Sequence, residues 1–289
     1  MRTRISPDAR PQAMTLLLAA ALSIALWFIP FAEILTYPFR IFVTFIHEGG
    51  HAIAALLTGN SVASLSVAMN ASGETYTTQG GRFSQMFVAS AGYLGAMAYG
   101  ALLLILIRRS VAARIVLLGS AVLIFALTLI FGLIKPLMAG TAGTLSGVPF
   151  TLLAGVLLSL GLFAVARFTK PKVAMFFVSL LAVQCVLNAL LDLKTVFFLS
   201  SPFNTSVPTD AVNMANATGL PAVLWAVVWI GLALGILVVA MRFYMVRRDR
   251  LFQPDLSFPE FPLNDIPRTL SASSATAASV GRSDKGSGG

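Results

Sequence analysis

Two histidines four residues apart flank a glutamate in His47-Glu48-Gly49-Gly50-His51. On a helix of 3.6 residues per turn, that spacing puts both imidazoles on one face, within reach of one metal ion. Glu48 projects from a neighbouring face, and its side chain is long enough to reach a water held by such an ion. This is the H-E-x-x-H arrangement of zinc hydrolases, with the glutamate as general base. The alternative is a helix with two satisfied core histidines and a stray glutamate. Context favours the metal. The chain has only two histidines, and both are in this stretch. The stretch also lies inside an apolar run, residues 39–57, where a charged residue is costly and reads by default as functional.

A catalytic zinc takes three protein ligands and keeps one position open. With no third histidine and a single cysteine, Cys185, that reads as a small packed hydrophobe, the third ligand is expected to be a carboxylate. The candidates are Glu33, Glu74, Asp192 and Asp210. Asp192 fits best, because it lies within an apolar membrane-length stretch. Asn188, one turn earlier on the same face, would orient it as a supporting partner. Depth agrees. Asp192 and His51 each precede the end of their segment by the same number of residues, which places both about 12 Å below one surface. Asp210, in Pro208-Thr209-Asp210-Ala211, reads instead as the cap of a short helix, 211–217, and Glu33 as an interfacial residue. Gly49 and Gly50 either let another backbone approach the metal or serve close helix packing.

The elements that must position these residues follow from composition. The 289-residue chain is 57% hydrophobic and only 11% charged, against about a quarter charged in soluble domains. Its apolar stretches are long enough to cross a bilayer as helix. The expected fold is an all-α polytopic membrane protein of about seven transmembrane helices, near 12–36, 40–59, 84–107, 115–138, 147–167, 173–199 and 222–245. The lipid bilayer is thus its first partner. The net charge of +9 comes from basic residues at segment ends, a placement that suits anionic headgroups and not nucleic acid. Residues 1–11 read as a polar N-terminus, 12–245 as the membrane domain, and 246–289, polar and proline-rich, as a disordered tail. No feature specifies an oligomeric state. Residues 61–82 break the pattern. Leu65, Val67 and Met69 alternate with small residues, and a turn signal at 70–73 precedes a Thr/Tyr-rich run. A β-hairpin is expected there, with an edge that could accept a peptide strand.

HEGGH in an early membrane helix, a hairpin after it and an aspartate in a later helix resemble the site-2 protease family of intramembrane zinc metalloproteases, peptidase family M50. Ser90-Ala91-Gly92-Tyr93-Leu94-Gly95, and Thr209-Asp210-Ala211 ahead of Pro221, Trp225 and Trp229, look like its M50B-like branch. The resemblance covers roughly 35–235. It implies a Zn2+ cofactor held by His47, His51 and a later aspartate, matched to Asp192, with Glu48 catalytic. It also implies a transmembrane protein or peptide substrate. This chain departs from the family where Asp192 is followed by Leu193 rather than glycine, with no proline shortly before it.

A substrate helix hides its amides in internal hydrogen bonds and must unwind before attack. Pairing with the hairpin edge would compensate the freed groups. Two rival classes remain open. One is a non-proteolytic, zincin-derived membrane scaffold or chaperone, supported by the departure at Leu193 and opposed by the intact Glu48. The other is a metal transporter, which would want polar residues strung across the bilayer rather than clustered at one depth.

Overall fold

The computed structural model describes residues 10–78, 80–108, 112–200 and 208–245. Contacts divide the chain into Met1–Arg247 and Arg248–Gly289, and all described residues lie in the first unit. The expected tail at 246–289 and most of the N-terminus expected at 1–11 fall outside the described residues.

The elements run α1 (Arg10–Ala25), α2 (Glu33–Leu57), β1 (Val62–Val67), β2 (Gly73–Thr77), α3 (Arg82–Arg108), α4 (Ala113–Leu129), α5 (Lys135–Ala139), α6 (Ala142–Ser146), α7 (Val148–Phe168), α8 (Pro171–Leu199), α9 (Asp210–Thr218) and α10 (Ala222–Met245). Among the described residues, five helical stretches are long and apolar enough to cross a membrane: Arg82–Arg108, Ala113–Ala139, Ala142–Phe168, Pro171–Leu199 and Ala222–Tyr244. They coincide with the last five of the seven expected segments. The first two divide differently. A short 3-10 turn, Leu26–Phe28, ends the α1 stretch just before Pro30, and α2 then runs without a break through Pro38. Proline disfavours helix at the residue before it and leaves the chain free to turn there. Pro38 lies near the start of α2, where a missing N–H costs least. α1 has 16 residues, whereas the 25 residues of α2 include Glu33, Arg40 and Glu48. Between α4 and α5, residues Ile130–Ile134 widen into a π-turn. Pro136 follows directly and cannot donate to the helix ladder.

α3 is the central helix and packs against α2, α8, α9 and α10. Small residues let the backbones meet. A Cβ on Gly50 would strike the carbonyl of Ala91, and one on Gly100 would lie 3.0 Å from the Cβ of Cys185. Of the two roles expected for the glycines of HEGGH, Gly50 takes the packing role, while Gly49 faces Leu127 of α4, 2.7 Å from where its Cβ would stand. Cys185 is fully buried, as expected of a packed hydrophobe. Outer faces of the spans carry large exposed apolar side chains such as Phe125, Leu153, Leu157, Leu160 and Val238, the composition that hydrocarbon solvates.

The expected hairpin is present as an antiparallel β1–β2 pair, with Leu65 opposite Thr75 and a bulge between Val62 and Ser64. β1 is the buried strand: Val62, Leu65 and Val67 are each at most 2% exposed. Its outer edge is closed where the Val67 N–H donates to Thr151 Oγ1 of α7 at 2.9 Å. β2 pairs only with β1 among the described residues, so its second edge is free. The turn is held by Asn70, whose Oδ1 accepts from the Ser72 N–H at 3.0 Å, and by Ala71 at φ 64°.

Candidate metal centre

His47 and His51 lie on the face of α2 turned toward α3 and α9. The Nδ1 of His51 is 2.7 Å from the carbonyl of Val88 on α3. A carbonyl only accepts, so this nitrogen carries the proton, which leaves Nε2 with its lone pair turned inward. The Nε2 atoms of the two histidines are 3.0 Å apart. Asp210 Oδ2 is 3.3 Å from each of them. Ligands about 2.0–2.1 Å from a tetrahedral zinc lie about 3.3 Å from one another, so this trio has the dimensions of one face of such a site. His47, His51 and Asp210 form the one group of three potential metal ligands among the described residues.

The third member is therefore Asp210, not the expected Asp192. Asp192 interacts electrostatically with His47 and Arg40, but it is not part of the trio. It stands on an exposed face of α8, while its neighbour Leu193 takes the buried position. Asn188 does not orient it. The Asn188 Nδ2 group donates back along α8 to the Gln184 carbonyl at 2.8 Å and to its side-chain oxygen at 3.0 Å. The expected cap at Asp210 is also reassigned. Thr209 is the cap, its hydroxyl accepting from the Val212 N–H, and Asp210 is the first residue of α9. Thr209 thereby frees the Asp210 carboxylate to face α2. A helix N-terminus favours a carboxylate. Burial alone would raise the Asp210 pKa, but the adjacent His51 and His47 hold it well below the usual carboxylate range. Glu33 and Glu74 are likewise outside the trio.

Three further residues complete the surroundings, and sequence reasoning did not assign them. Gly92 of α3 is the clearance beside the imidazoles: a Cβ there would collide with His47 Nε2 and stand 2.5 Å from His51 Nε2. Tyr93 meets the His47 ring edge-on, centroids 4.6 Å apart, and is backed by Trp229 of α10 at 5.6 Å. Thr75 of β2 donates to Glu48 Oε2 at 2.7 Å. The nearest available signal was Ser90-Ala91-Gly92-Tyr93-Leu94-Gly95, which reads as helix packing and holds two of the three.

Glu48 is 5% exposed and borders the trio. Together they line a cavity of about 1120 Å3. One wall is the hairpin, from Ser66 to Met69 and from Ser72 to Thr78. Facing it are Asp210, Asn213 and Asn216 of α9. Position 210 is followed by these two asparagines at helical spacing, so all three share one side of α9. α9 is itself tied to α10, where Trp225 Nε1 donates to Thr218 Oγ1 at 3.0 Å.

Membrane-length spans thus surround a hairpin and a paired-histidine group with a carboxylate that could hold a metal ion. The Peptidase M50B-like family model matches residues 15–240. The chain belongs to this family, within the site-2 protease group, and is an integral multi-pass membrane protein. Searches of curated proteins and of solved structures gave no match.

Proposed function

We propose that the protein is an intramembrane zinc metalloprotease that hydrolyses peptide bonds of membrane-spanning proteins or peptides. The observation that carries this reading is the convergence of His47 Nε2, His51 Nε2 and Asp210 Oδ2 within 3.0–3.3 Å of one another, with Glu48 beside them at the foot of a cavity. His47, His51 and Asp210 would hold the ion. When bound, zinc supplies Lewis-acid polarisation of the scissile carbonyl and a more acidic water. Glu48 takes the proton of the attacking water and delivers it to the leaving nitrogen. The free edge of β2 offers backbone partners to an unwound substrate segment that reaches the cavity. The departure at Asp192-Leu193, which favoured a scaffold that had lost turnover, weighs less once Asp210 is the carboxylate beside the histidines.

The test is metal analysis of the purified protein together with cleavage of single-span peptides in bicelles. Glu48→Gln is expected to keep its metal and lose about 10²–10⁴-fold in rate. His47→Ala and His51→Ala are expected to lose both metal and cleavage. Cleavage by Glu48→Gln at the wild-type rate would sink the hydrolase reading.

A further inference from the structure

Glu48 has three side-chain torsions and almost no exposure. A base that must meet one water needs those torsions fixed, because a small misplacement of a reacting group is costly in rate. The restraint comes from outside its own helix. Thr75 Oγ1 lies 2.7 Å from Glu48 Oε2 and 3.2 Å from the Glu48 carbonyl. With Glu48 ionised, as a base must be, the shorter contact is a charge-assisted hydrogen bond, the stronger kind. Gly73, two residues earlier on the same strand face, covers the other carboxylate oxygen: a Cβ there would stand 2.5 Å from Oε1 and 2.6 Å from Cγ. Glycine thus lets the strand lie down on Glu48, and threonine grips it.

The turn that leads into the strand is itself pinned to α2. Tyr37 donates to the Met69 carbonyl at 2.6 Å, and Thr44 to the Ala71 carbonyl at 2.8 Å. Tyr37, Thr44 and Glu48 follow one another at seven and four residues, a single stripe along the helix. The hairpin's turn and the first half of β2 are therefore held against the helix that carries the base.

We propose that Thr75 is the positioning residue for Glu48, so that the hairpin's second strand is part of the catalytic apparatus as well as an edge for substrate. This rests on Glu48 being the base. Thr75 acts through Glu48: its hydroxyl selects the rotamer in which the carboxylate faces the metal trio. The free edge that would pair with substrate belongs to the same strand, so the register of a bound segment and the aim of the base share one rigid element.

The experiment compares Thr75→Val, which keeps the branched shape but removes the hydroxyl, with Thr75→Ser, which keeps the hydroxyl. Cleavage of a single-span peptide in bicelles is measured with metal content. Thr75→Val is expected to lower kcat about 10–100-fold, with KM and metal content unchanged, and Thr75→Ser to restore most of kcat. Infrared difference spectra give a readout independent of turnover. Subtracting Glu48→Gln from wild type isolates the Glu48 carboxylate bands, which Thr75→Val should shift and Thr75→Ser should return. Wild-type kcat in Thr75→Val, an unshifted band, or equal losses in both Thr75 variants would overturn the proposal. Full cleavage by Glu48→Gln would instead remove the base reading itself. An inactive Glu48→Gln beside a fully active Thr75→Val would remove only the role of Thr75.

Discussion

α8 and α9 each carry an aspartate within electrostatic reach of His47, and they hold it by opposite means. α8 is a 29-residue span whose mid-helix position is dictated by the run of apolar residues around it. α9 has nine residues, capped by Thr209 and closed by Gly219 in the left-handed conformation. A residue on the long span is fixed in depth, but its direction is set by which face the packing consumes. On α8 the buried face goes to Ala189, Leu193 and Val196, and Asp192 is left beside it. A residue at the start of a short helix has no such competition. The cap satisfies the backbone, and the first side chain can be aimed. Depth is thus a weak guide to ligation, and a free helix start is a better one.

The comparison can be broken most sharply by removing each carboxylate in turn. Asp210→Ala is expected to weaken metal binding by more than the about 10–100-fold typical of residues one step outside a metal's own ligands. Asp192→Ala should leave metal content at the wild-type level. Metal analysis after dialysis against a graded chelator series measures both, and the reverse order would return the ligand to α8. A smaller effect separates two glycines of α3. Gly92→Ala places a methyl against both imidazoles, so it should lose metal and cost about 1–3 kcal/mol by overpacking. A Cβ on Gly95 meets nothing nearer than 3.6 Å, so Gly95→Ala should keep metal and melting temperature. The smallest effect belongs to Asn188→Ala, which removes only bonds within α8. Thermal melts should move by no more than about 1 kcal/mol, with metal retained; a loss of metal would restore Asn188 as a supporting partner.

Much of this molecule is legible in its residues, and the reasons differ by region. HEGGH announces itself because the chain's two histidines stand one helical turn apart, and long apolar runs give the last five spans almost to their ends. Alternation of Leu65, Val67 and Met69 with small residues gives the hairpin, although β1 buries Ser64 as fully as Leu65. The first two segments are harder. The expected segment 12–36 runs through Pro30, and only packing decides that helix stops before it and that α2 starts at Glu33 and continues through Pro38. Asp210 is hidden because Thr-Asp at a helix start fits a cap by either residue, and nothing local says which one faces inward. Gly92 is hidden for a related reason: a small residue beside another helix and a small residue beside an imidazole look alike until the partner is known.

Trp229 gives one of these arrangements a practical consequence. It is 1% exposed, its Nε1 donates to Ser90 Oγ at 3.1 Å, and its ring lies against Tyr93, which in turn touches His47. An indole separated from His47 by the single ring of Tyr93, screened from lipid and detergent alike, is a built-in optical probe. Metal added to the purified protein is expected to change its emission, and Trp229→Phe is expected to abolish that change against the background of the other two tryptophans.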